Sequence, residues 1–309
     1  MSTTADLGMW AVPLAMLGGA IRVSTPFLFV SLGECLTERS GRINLGLEGT
    51  LVFGAMAGYA IAYETDSAWV GVLAAALAGA LFGLFHGWIC KFKGVNDIAI
   101  GIALMLLGMG LAFFFGKPYI QPVAPDLPAI PLGWWSQIEQ VQAALQINVL
   151  FIFGLFLAIA MTWMFRSTRV GLTIRVVGDS TDAARAMGLN PNLVRLLSTA
   201  AGGALAGVGG AYLSLYYPGS WNEGISSGQG LMAVALVIFA RWSPINCFWA
   251  AILFGSAGAL GPALQSVGVT SGYYLFFAAP YVLTLALLIA TSSPNKAMEG
   301  APGELSITK

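Results

Sequence analysis

Long apolar runs, each closed by a short polar break, follow one another along almost the whole chain. They do not alternate as a half-buried strand or a barrel strand would. Each keeps its apolar character for roughly 20 residues, the length a helix needs to cross a hydrocarbon core of about 30 Å. Spans are predicted at 10–33, 43–62, 68–90, 96–116, 147–165, 196–217, 229–241, 245–264 and 273–291. The seventh is short for a crossing and reads as a half-span or a broken helix. The expected fold is therefore an all-α polytopic membrane protein of about nine transmembrane spans, with residues 1–309 forming a single transmembrane domain. No Lys or Arg precedes the first run and Arg22 falls inside it, so that run reads as a retained span and not as a signal peptide.

Composition agrees. The chain is 57% hydrophobic and 9% charged, against about 25% charged in soluble domains. That excludes a soluble single-core enzyme. The 14 Lys and Arg balance 14 Asp and Glu, which leaves no basic surplus to neutralise phosphate, so a nucleic-acid partner is excluded too. Cys35, Cys90 and Cys247 are too few and too scattered for a disulfide framework or a metal cluster. Twelve of the 14 basic residues lie in the loops after odd-numbered spans or in the C-terminal tail, and Lys117 alone lies on the other side. By the positive-inside rule the N-terminus is expected outside and the C-terminus in the cytoplasm. The long hydrophilic segments are then an external loop, about 117–146, and a cytoplasmic one, about 166–195. The external loop carries several prolines with Trp134 and Trp135, and is expected to be extended and rigid.

Small residues recur every four positions in span three (Gly71, Ala75, Gly79, Gly83, Gly87) and in span six (Gly202, Ala206, Gly210, with Gly203, Gly207 and Ala211 beside them). Such stripes let helix backbones approach closely in lipid. The stretch AGALFGLFHG followed by GVNDI is also echoed by GGALAGVGGAYLS followed by GSWNEGI, with the two spans running in opposite directions. This points to an inverted internal repeat.

Polar groups at membrane depth are costly and are the first functional candidates. In GRINLGLEG, Asn44 and Glu48 stand at i and i+4 on one helical face. They are read either as contacts to the hydroxyls or base edges of a polar solute, or as a hydrogen bond between helices. Asn96 and Asp97 precede span four and fit a solute pathway or a helix cap. Glu223 and Gln229 flank the start of span seven, His86 lies on the packing face of span three, and Arg22 is expected to pair with a carboxylate or to snorkel. No constellation for hydrolysis, metal or phosphate-loop chemistry is present: Pro118 follows Gly116–Lys117, and Leu111 stands where a phosphate loop needs glycine. No cofactor is expected, and any ATP must be bound by another subunit.

The segment 175–190, RVVGDSTDAARAMGLN, is long and structured for a connecting loop. Gly178, Asp179 and Ser180 read as a turn, Thr181 to Met187 as a short helix ended by Gly188, and Ala183 with Ala184 as a small face for docking into a partner's groove.

Together with GGALAGVGGAYLSLYYPGSWNEGISSGQGLMAVALVIFARWSP and the late AAPYVLTLALLI, these segments resemble permease subunits of bacterial ATP-binding-cassette importers for branched-chain amino acids, ribose-type sugars and nucleosides. The motifs are most similar to the nucleoside branch, which works with basic-membrane-protein-type lipoproteins. The resemblance runs from about residue 20 to 290. It implies a non-enzymatic pore subunit in the bacterial inner membrane that pairs with a second permease, a cytoplasmic ATPase and an external solute-binding lipoprotein. It assigns the ATPase contact to Arg175, Gly178, Asp179, Ala183, Ala184 and Gly188. Met105 stands where relatives often carry asparagine, and Ala240 where glycine is usual; both weaken the solute assignment. A sugar or autoinducer importer is the same mechanism with another solute, and an ion-coupled secondary transporter is the alternative of a different class.

Overall fold

The computed structural model describes residues 11–266, 276, 278–291 and 300–306. Its helices are α1 (Ala11–Arg39), α2 (Leu47–Thr65), α3 (Ala68–Ile89), α4 (Asp97–Gly116), a short α5 (Glu139–Ala144), α6 (Val149–Ser167), α7 (Arg169–Asp179), α8 (Thr181–Ala186), α9 (Pro191–Leu215), α10 (Gln229–Phe239) and α11 (Pro244–Ser266). Two further helical stretches are Ala279–Thr291 and Gly303–Ser306.

Among the described residues six helices are long and apolar enough to cross a membrane: α1, α3, α4, α6, α9 and α11. They occupy the first, third, fourth, fifth, sixth and eighth expected spans. The second is occupied by α2, whose 19 residues include Glu48 and Glu64. The seventh is α10, whose 11 residues rise only about 16 Å, half the hydrocarbon core. The ninth overlaps Ala279–Thr291, and its expected beginning lies largely outside the described residues.

Helix α9 lies at the centre, packed by α1, α2 and α3. Its approach to α3 is backbone on backbone. A Cβ on Gly79 would lie 2.1 Å from the Gly203 carbonyl oxygen, and one on Gly203 would lie 2.2 Å from that of Gly79. On either side, Gly207 meets the Ala75 carbonyl at 2.0 Å and Gly83 meets that of Thr199 at 2.1 Å. Lipid offers helices no hydrophobic reason to associate, so contact at this range supplies dispersion and weak polar attraction instead. The opposite face of α3 carries Leu73, Leu77 and Leu81, each about two-thirds exposed as a lipid-facing residue is. Helix α4 is pressed on α2 by a similar stripe, with Gly108 against the Gly49 carbonyl.

Two local expectations are corrected. The loop 117–146 is not simply extended: Ala129–Pro131 pairs antiparallel with Gln146–Asn148 across α5, and among the described residues this small hairpin is the one β element. Gly178 and Asp179 form no turn either; they end α7, and only Ser180 breaks the helix. Glycine is needed at 178 because a Cβ there would lie 2.1 Å from the Arg39 carbonyl oxygen. The Ser180 hydroxyl accepts the Ala183 N–H at 3.2 Å and so starts α8, and Gly188 closes it at φ +77°.

Candidate functional site

The first polar site lies where the GRINLGLEG segment meets the head of α10. Glu48 enters the first turn of α2 fully buried, and its carboxylate is saturated. One oxygen accepts the Ser226 hydroxyl at 2.5 Å and the Gly228 N–H at 3.2 Å. The other accepts the Gly230 N–H at 2.6 Å and that of Leu231 at 3.3 Å. These are among the unpaired donors at the start of α10, where the helix dipole also favours an anion. Gly230 permits the approach, because a Cβ there would lie 2.6 Å from the Glu48 Cα. The sequence pattern marked Glu48 but not its task, which is to cap a half-length helix from another element.

The other candidates divide. Asn44 is buried in a local turn: its side-chain oxygen accepts the Gly46 N–H at 3.0 Å, and its own N–H donates to Glu34 at 2.8 Å. Gln229, the first residue of α10, has a buried side-chain oxygen without a hydrogen-bond partner among the described residues. Met105 sits on the far side of the same segment, its carbonyl 2.4 Å from where a Gly49 Cβ would be. The remaining three sit elsewhere. Asn96 caps α4, accepting the Ile98 and Ala99 N–H groups at 2.9 and 3.1 Å. Asp97 pairs with Arg42 at 2.6 Å, tying the α1–α2 turn to the head of α4. Glu223 is exposed in the loop before α10. His86 is fully buried on α3, and Arg22 donates to the Ala143 carbonyl, a partner other than the expected carboxylate.

Glu34 and Glu38 lie beyond the first expected span, which stops at residue 33, whereas α1 continues to Arg39. Both are fully buried, one turn apart. Glu38 accepts the Trp242 indole N–H, and the neighbouring Arg39 donates to the Trp242 carbonyl at 2.8 Å, so the end of α1 is fastened to the turn after α10. The i, i+4 spacing of two acids in SLGECLTER was the available signal.

The second site is the platform built by α7 and α8. Arg195 of α9 is its hub. Its guanidinium donates to the Ser40 carbonyl at 3.0 Å, the Val177 carbonyl at 3.3 Å and the Thr181 hydroxyl at 3.0 Å, and pairs with Glu304 at 3.2 Å. Glu304 also accepts the Thr181 N–H at 2.7 Å. Burial raises the Glu304 pKa, but these hydrogen bonds and the Arg195 charge outweigh it and hold the carboxyl below its usual range. Of the residues expected to face a partner, Ala183 and Gly188 are exposed, as is Asp179. Ala184 is not: it is fully buried against the chain itself. Gly178 is buried against α1, and Arg175 is half-buried. The outward face of α8 is instead Asp182, Ala183, Arg185, Ala186 and Met187.

With this geometry in view, the family described as "Branched-chain amino acid transport system / permease component" matches residues 10–292. TsgC13 of Haloferax volcanii, provisionally named a glucose ABC transporter permease protein, is 32% identical over 82% of this chain and 79% of its own length. The guanosine ABC transporter permease protein NupQ of Bacillus subtilis is 30% identical, and the nucleoside ABC transporter permease protein NupC of Lactococcus lactis 29%; each alignment covers 86% of this chain and 88% of the relative. No solved structure matches.

Proposed function

Because the chain belongs to the family of branched-chain amino acid transport system permease components, we propose that it is the membrane pore subunit of an ATP-driven importer whose solute is a nucleoside. Members of this family are transport subunits and not enzymes. The observation that carries the reading is the family match along 10–292, joined by nucleoside and guanosine permeases aligned over 86% of the chain. In this reading nine segments traverse or enter the bilayer of the inner membrane, with the N-terminus outside, and α10 is a half-helix that stops within it. The inverted repeat is supported by the α3–α9 contact: Gly79 faces Gly203, while Ala75 faces Gly207 and Gly83 faces Thr199. A two-fold axis in the membrane plane relating each residue to the one 124 positions later generates this crossed pattern.

The solute path runs past the head of α10. Gln229, with its unsatisfied buried oxygen, contacts the solute there, Glu48 holds the half-helix in place with Asn44 beside it, and Met105 borders the path from the far side of α2. Asn96, Asp97 and Glu223 shape the two ends. A cytoplasmic ATPase seats the outward face of α8, and its closure reaches α9 through Arg195. A second, similar permease completes the pore; Lactococcus lactis has two such relatives, NupB and NupC. An external lipoprotein delivers the solute.

Uptake of radiolabelled guanosine into cells expressing the chain with its ATPase and companion permease tests this. Saturable uptake displaced by unlabelled nucleosides but not by glucose is expected. Uptake of radiolabelled glucose without uptake of guanosine would transfer the chain to the sugar branch, and uptake persisting with an ATPase-dead partner would overturn the importer reading.

A further inference from the structure

Between α6 and α9 runs a groove of about 650 Å³ that the transport reading does not use. Both helices pack on α1, and Leu36 of α1 forms the floor. The walls are apolar: Leu157, Met161 and Met164 on α6 recur at helical spacing and face Leu197, Ala201 and Leu205 on α9. The groove is polar at one end only. There α7 contributes Arg169 and Thr173, with Ser198 close by on α9, and no carboxylate among the described residues lines the groove. From Val194 to Leu205 along α9 the helix rises about 16 Å, close to the depth of one leaflet of a core about 30 Å thick.

We propose that this groove holds an anionic phospholipid of the surrounding bilayer, its acyl chain between Met161 and Leu197 and its phosphate on Arg169. A helix from a partner would need an apolar track through both leaflets, whereas this one lasts for one leaflet and ends in a single cation. Arg169 is exposed and its guanidinium makes no hydrogen bond or ion pair among the described residues, so it is free to meet a headgroup. A lone basic side chain at the edge of an interhelical groove recognises an anionic headgroup by charge.

The full-length chain, purified in mild detergent with its companion subunits, delipidated and titrated with phosphatidylglycerol or phosphatidylcholine of matched chains, is read by native mass spectrometry. About fivefold stronger retention of phosphatidylglycerol is expected, the size of one basic residue at an anionic headgroup. Arg169→Lys keeps the preference and Arg169→Glu removes it. Ala201→Trp, which fills the groove from an exposed position, loses the bound lipid of either kind. Equal retention of the two lipids, an unchanged preference in Arg169→Glu, or a cross-link from Met161 to another protein subunit overturns the proposal. None of these readouts depends on which solute is carried.

Discussion

Four donors converge on Glu48, so alanine there leaves them unpaired at the head of α10. A buried donor without a partner costs about 1–3 kcal/mol, more when the lost acceptor is charged. Glu48→Ala is therefore expected to lower the detergent melting temperature sharply. Glu48→Gln, which turns an NH₂ toward backbone N–H groups, should fall between it and the parent chain. A residue that only touches solute would leave melting unchanged, and unaltered melting in both variants would refute the capping role. Gln229 behaves oppositely: Gln229→Ala removes an oxygen that bonds nothing in the described protein, so melting should hold while guanosine uptake falls. At this scale the sequence disclosed which residues were costly, because a carboxylate or amide in an apolar run is visible by itself. Their partners were not legible, since Ser226 and Gly230 lie some 180 positions from Glu48.

Among the elements, α8 was legible in outline and wrong in orientation. The serine cap and Gly188 mark its ends, but which alanine faces outward depends on where α7 and α9 place it. Ala184→Arg should unfold the platform, because Ala184 is fully buried. Ala183→Arg should leave melting intact and release the ATPase on co-purification; retention of the ATPase would remove α8 from the docking role. The stretch Gly303–Ser306 braces the same platform through Glu304, with Gly303 against the Asp179 carbonyl. The Glu304 pKa is depressed in the folded chain, so its stabilisation is present above the ordinary carboxylate value of about 4.3 and lost as pH falls through the lower folded value. Protection of the Thr181 amide from hydrogen exchange, taken relative to its intrinsic rate at each pH, should fall below about pH 4, and Glu304→Gln should abolish that pH dependence.

Over the whole molecule, the apolar runs and glycine stripes made the membrane class, six long apolar helices and the α3 and α9 packing faces readable, because period and residue size are local properties. What they could not convey is which stripe meets which. The length of α10 was ambiguous for the same reason: a helix of 11 residues with a buried start needs something to cap that end, and the cap comes from α2. Gly203→Ala is expected to exceed the roughly 3 kcal/mol of ordinary overpacking, since its Cβ would lie 2.2 Å from a carbonyl oxygen. Gly110→Ala, with nothing within 4 Å of its Cβ, should instead strengthen α4 by up to about 1 kcal/mol. Melting of the two variants side by side checks both.

The α3–α9 contact also has a genetic consequence. Gly79, Gly83, Gly203 and Gly207 are each confronted by a carbonyl of the opposite helix, and no codon change can shorten a carbonyl. A lesion at Gly79 therefore cannot be rescued by an allele at Gly203, and the reverse holds as well. Revertants selected from either should restore the glycine itself or fall at distant sites that let one helix shift as a unit.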